Sequence, residues 1–209
     1  MEFFVKKKTA TSMALVQIIS ENQGRQMRQV LFELLLTVAM SVGCWFTFFS
    51  MFPDPMNHVI SMILIIGLPV AIYGLFKVKF LSRYLVFYVF LLTAIFFVLF
   101  YESVWNGFLV MGNIIVEIVN DELLAGLITF KMTGSAEQWY GDAMMAMIPV
   151  VLLVSMGIVH SVYHKEPLLG FVLTGVPVIA GLTLKVEPSV WLLLLLIISW
   201  AGLLVLTAV

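Results

Sequence analysis

His160 and His164 stand four residues apart, with Glu166 just behind them. On a helix this spacing puts both imidazoles on one face, as a zinc site requires. Two histidines and one carboxylate fall short of a full ligand set. They also lie where polar residues close a membrane helix. The sequence contains no His-Glu-x-x-His, no Gly-x-Ser-x-Gly elbow and no phosphate-cradling Walker loop. Ser135, in Thr133-Gly134-Ser135, has no histidine nearby in the chain. Cys44 is the single cysteine, so no internal disulfide can form, and it sits in an apolar run where a thiol acts as a small hydrophobe. Glu33 lies about one turn beyond Arg28 and Gln29, at the edge of an apolar run, where a carboxylate can stay solvated or pair. No catalytic residue, cofactor or metal is expected from these groups.

The most regular polar feature is a stripe. Glu102, Asn106, Asn113, Glu117 and Asn120 fall within roughly 60° of one another on a helix that advances about 100° per residue. The rest of that helix is apolar: Val104, Trp105, Phe108, Leu109, Val110, Met111, Ile114 and Ile115. A narrow polar stripe on a broad apolar body suits a helix lying at a membrane interface with its stripe toward water. The same helix could dip between neighbouring spans and turn the stripe to a cavity. These five residues are the candidate interaction stripe. The surrounding segment, 101–142, holds six of the chain's 12 acids and only one of its 11 bases, Lys131. Residues 121–142 read as an exposed loop with a short helix near Asp121–Phe130, and Trp139 and Tyr140 as an anchor at headgroup level.

The elements around this segment are those of a membrane protein. The chain is 62% hydrophobic and 11% charged, against roughly 45–50% and 25% for a soluble domain. A net charge of −1 gives no basic field, so nucleic acid is not a partner. Six apolar runs are long enough to cross a bilayer core of about 30 Å. They are centred on 30–52, 58–76, 84–101, 143–160, 167–184 and 189–207. Pro53-Asp54-Pro55 forms a turn between the first two. The expected fold is all-α: a polytopic membrane bundle of six transmembrane helices, with an extracytoplasmic amphipathic helix between the third and fourth. Its parts are a leader over 1–29 (an interfacial helix or a disordered arm), a three-helix half over 30–100, the segment 101–142 and a second three-helix half over 143–209.

The bases orient the bundle. With the N-terminus inside, Lys6, Lys7, Lys8, Arg25, Arg28, Lys77, Lys79, Arg83 and Lys165 are cytoplasmic, and only Lys131 and Lys185 lie outside. Both termini are then cytoplasmic and the location is the plasma membrane. Counting the striped helix as a seventh crossing would split Lys77, Lys79 and Arg83 from Lys165. No polar anchor follows the last run, so the chain reads as the membrane part of a longer protein. Gly67-Leu68-Pro69-Val70 and Gly175-Val176-Pro177-Val178 occupy the second helix of each half. Matched Gly/Pro breaks of this kind can mark a transport site. A small six-helix transporter or substrate-binding subunit is therefore the alternative to an anchor. Runs two to six carry no internal charge, and ionisable groups at mid-depth are the usual mark of transport.

Three runs, a striped helix over Val104–Asn120, a loop rich in Gly, Trp and Tyr over Gly134–Asp142, and three more runs make a layout. It resembles the N-terminal membrane region of bacterial transglutaminase-like membrane proteins. The late run from Pro188-Ser189-Val190-Trp191 to Trp200-Ala201-Gly202 is similar as well. The resemblance covers most of 30–209. It implies an anchoring or scaffold role, with any papain-like Cys-His-Asp chemistry in an extracytoplasmic domain that these residues do not contain. The expected partners are the lipid bilayer and such an attached domain or a separate protein.

Overall fold

The computed structural model describes residues 2–52, 58–131 and 134–208, with backbone only for 2–23, 58 and 136. The turn expected at Pro53-Asp54-Pro55 lies outside the described residues. Among these residues eight helices follow in order: α1 Glu2–Met51, α2 His58–Phe76, α3 Lys79–Ser82, α4 Leu85–Leu99, α5 Tyr101–Leu123, α6 Ala136–His164, α7 Pro167–Thr183 and α8 Val190–Ala208. No strand occurs among the described residues.

Among the described residues, five segments are long and apolar enough to cross a membrane: Gly24–Met51, Val59–Phe76, Tyr101–Leu123, Glu137–His164 and Val190–Ala208. Leu85–Leu99 and Pro167–Thr183 are shorter apolar helices. The chain is thus all-helical and built for a membrane, as its composition requires. Two element bounds differ from the sequence reading. The striped helix is itself among the five long segments, while the aromatic run before it forms only 15 helical residues. And α6 starts at Ala136, so the stretch Ala136–Asp142 is helix rather than loop.

The chain divides into two compact units, Met1–Leu35 and Leu36–Val209. In the first, the leader is helical and runs without interruption into the first apolar run. Glu33 is buried there and accepts a hydrogen bond from Gln29 Nε2 at 2.9 Å. This i, i+4 bond satisfies one lone pair of a carboxylate in an otherwise apolar stretch.

In the second unit α6 is the central element, and α2, α4, α5 and α7 all pack on it. One core cluster joins Leu36, Met40, Ile158, Val162, Leu203 and Leu206. A second joins Trp45, Ile65, Met147 and Val151, with Met111 of α5 against it. Small and hydroxylated residues let the helices approach closely, which drives association where lipid is as apolar as the core. Ser41 Oγ donates to the Ile65 carbonyl at 2.7 Å, tying α1 to α2. Gly170 of α7 is closed in so tightly that a Cβ would stand 2.6 Å from Ser161 Oγ and 2.7 Å from Leu203. One turn on, Thr174 Oγ1 donates to the Gly170 carbonyl at 2.7 Å and accepts from Trp200 Nε1 at 2.8 Å, joining α7 to α8.

The helices run unbroken through Pro69 and Pro177. The two Gly/Pro motifs therefore do not open unwound stretches in α2 and α7.

Candidate functional site

The polar stripe is positioned by a long, bent rod. Between α4 and α5 only Phe100 leaves helical geometry, at φ −115° and ψ 28°. Hydrogen bonding still carries across it, from Phe100 N to the Phe96 carbonyl at 3.0 Å and from Val104 N to the Phe100 carbonyl at 2.9 Å. The rod runs antiparallel to α6. Val86 and His160 share a groove at one end, and Gly107 meets Asp142 near the other. At Gly107 the helices are in backbone contact, since a Cβ there would collide with the Asp142 carbonyl and with Ala146. Val104, Gly107 and Asn113 are buried by this packing.

Beyond Leu123 the chain turns back through Leu124 in the left-handed region (φ 51°) and Gly126 (φ 65°). It then passes along the stripe without regular structure. Two asparagines hold it. Asn120 Nδ2 donates to the Leu127 carbonyl at 2.8 Å, and Leu127 N donates to Asn120 Oδ1 at 2.6 Å. Asn113 Nδ2 donates to the Phe130 carbonyl at 3.0 Å, and Phe130 N donates to Asn113 Oδ1 at 2.6 Å. Each amide side chain thus matches both main-chain groups of one residue, as a neighbouring strand would. The spacing explains why two clamps fit. Seven helical residues, 113 to 120, rise about 10.5 Å, and three extended residues, 127 to 130, cover about 10 Å. The Phe130 ring lies over Gly112, with 3.2 Å to the nearest position a Cβ would take.

The five stripe residues therefore have different surroundings. Asn113 and Asn120 clamp the returning segment. Glu117 lies between them and lines a hollow of 380 Å³ with Thr129, Phe130 and Trp139. Asn106 lines a larger polar cleft of 560 Å³ with Ser103, Gln138, Asp142 and Met145. Glu102 is exposed at the start of α5. Ser135 precedes α6, where its main-chain N–H donates to Gln138 Oε1 at 3.0 Å. That is the N-terminal half of a capping box, a helix-start role rather than a nucleophile's. Tyr140 is exposed and Trp139 half-buried, facing the hollow.

The returning segment shows apolar side chains outward. Leu124 and Ile128 are 88% and 90% exposed, and Leu127 and Phe130 about half. The cleft offers a hydroxyl, two amides and the Asp142 carboxylate. These groups can recognise a polar ligand or peptide by hydrogen bonds, and none forms the nucleophile–base pair that covalent catalysis needs.

At the other end of α6, His160 and His164 bring their rings to 4.3 Å between centroids, and His160 Nε2 stands 3.9 Å from Glu166 Oε2. Phe76 and Tyr163 pack around them, and Lys77 caps the rings of Tyr73 and Tyr163 at 4.8 and 5.0 Å. Among the described residues no group of three or more His, Cys, Asp or Glu side chains is arranged to hold a metal ion. Cys44 is buried in the core with Val178 and Leu196.

Comparison with known protein families, curated proteins and solved structures finds no match for this chain.

Proposed function

We propose that the chain is a multi-pass membrane anchor and scaffold that presents a docking platform on the extracytoplasmic side. Six crossings, α1, α2, the α4–α5 rod, α6, α7 and α8, place both termini in the cytoplasm of the plasma membrane, following the nine bases on that side. The stretch beyond the membrane is the far end of α5, the clamped segment and the start of α6. The observation that carries the reading is the double asparagine clamp. It holds a short segment rigidly while leaving Leu124 and Ile128 uncovered. Exposed apolar side chains on a fixed backbone suit protein contact. The layout adds the expectation that the platform serves an extracytoplasmic transglutaminase-like domain, attached or separate.

A photo-crosslinking amino acid at Ile128, activated in intact cells, tests the docking role. A protein adduct, or an internal link to a domain encoded downstream of Val209, supports it. Lipid adducts alone contradict it. A reading frame that ends at Val209 beside transporter genes would remove the transglutaminase-like expectation.

Transport is the second reading, and one observation favours it. Trp45 Nε1, Thr47 Oγ1 and Ser155 Oγ are buried without a hydrogen-bond partner, and polar groups in a bundle interior can mark a substrate path. The other buried hydroxyls argue for packing. Ser41, Thr174 and Ser199 all donate to main-chain carbonyls.

A further inference from the structure

A groove of 350 Å³ runs between α4, α6 and α7 at the end of α6 that carries His160. Its walls include Val86, Phe90, Leu153, Gly157, Leu169 and Leu173. Apart from His160 every lining residue is apolar, so along its length the groove matches a hydrocarbon chain and little else. Gly157 lets the Leu173 side chain pack onto α6 in the wall of the groove, because a Cβ there would collide with it. His160 is the one polar residue of the lining, and its Nδ1 is buried with no hydrogen-bond partner. Arg83 stands three residues before Val86, in the turn that leads into α4, and Lys165 four residues before Leu169, in the turn between α6 and α7; both are exposed. Lys77 and Lys79 belong to the same end, where Glu166 stands 3.9 Å from His160. An apolar slot close to several exposed cations is complementary to an amphiphile with a negative head.

We propose that this groove binds one anionic phospholipid, its acyl chain along Val86, Phe90 and Leu173 and its phosphate between Arg83 and Lys165. Basic pockets between membrane helices hold such headgroups by charge, while the chain supplies apolar contact. Lys77 is engaged over two tyrosine rings at 4.8 and 5.0 Å and contributes field rather than direct contact, whereas Arg83 lies over one, Tyr84, at the longer distance of 5.7 Å and is exposed. The site is independent of the docking platform, since it lies at the opposite end of α6.

Native mass spectrometry of the purified chain in detergent tests this, with dioleoyl phosphatidylglycerol and dioleoyl phosphatidylcholine as probes. The expected result is one retained phosphatidylglycerol, held at least about tenfold more tightly than phosphatidylcholine. Arg83→Gln with Lys165→Gln should remove that preference, and Lys131→Gln with Lys185→Gln should keep it. Val86→Trp, at a half-buried position in the lining, should fill the groove and reduce retention of both lipids. Equal retention of the two lipids by the unaltered chain overturns the proposal without any variant. So does loss of preference in the Lys131/Lys185 control, or full retention in Val86→Trp.

Discussion

Asn113 and Phe130 are joined by two hydrogen bonds, Nδ2 to the Phe130 carbonyl at 3.0 Å and Phe130 N to Oδ1 at 2.6 Å. Asn113 is nine-tenths buried, so its amide is shielded from competing water. Removing it leaves the Phe130 main chain unmatched beside a protein surface, a change worth about 1–3 kcal/mol. Asn113→Ala should therefore release the returning segment. Limited proteolysis across 124–131 is expected to speed up about tenfold or more in this variant, the upper part of that energy range. Asn120→Ala should do less, because its pair is more exposed. Unchanged cleavage in Asn113→Ala would show that something else fixes the segment.

Gly107 sets how closely α5 approaches α6. Gly107→Ala places a methyl into the Asp142 carbonyl, and overpacking of this kind costs typically about 1–3 kcal/mol. Thermal unfolding in detergent should show the loss. Gly67→Ala is the control, since nothing stands within 4 Å of its Cβ position. Equal stability of the two variants would contradict the close α5–α6 contact.

Trp200 and Thr174 should behave as a coupled pair. Trp200→Phe keeps most of the ring but loses the 2.8 Å bond to Thr174 Oγ1, at a cost of about 1 kcal/mol. Thr174→Val loses the same bond from the other side. The double variant should then be less destabilised than the sum of the singles, by about 0.5 kcal/mol or more. Strict additivity would mean that the bond contributes nothing.

Ser155 separates scaffold from transport. Its buried hydroxyl has no partner, so Ser155→Ala should leave stability unchanged or raise it slightly. Under the scaffold reading no other property changes. A loss of substrate uptake or binding in a stable Ser155→Ala protein would favour transport.

Long apolar runs made the helices legible, because length and hydropathy are properties of composition alone. The stripe was legible for the same reason, since 100° periodicity needs no tertiary information. The bend at Phe100 was not, because no glycine or proline marks it and the aromatic run simply continues. The start of α6 carried a signal that a closer reading of local chemistry would use: Ser135 followed three residues later by Gln138 is the pattern of a capped helix start. The clamp itself was out of reach. Asn113 and Asn120 face the right way, but their partners are main-chain groups of Leu127 and Phe130, and main-chain hydrogen bonding leaves no trace in side-chain type. The histidine pair shows the reverse case. Its spacing was plain, and the structure brings the rings together, yet the third ligand a metal would need is missing from the described residues.

The clamped segment and the basic end of α6 should lie on opposite sides of a membrane. Single-cysteine labelling tests it directly, because Cys44 is buried and contributes little background. Ile128→Cys and Lys165→Cys would each be treated in intact cells with a membrane-impermeant maleimide. Labelling is expected at position 128 without permeabilisation and at position 165 only after it. Labelling of both positions from outside, or of 165 alone, would contradict it.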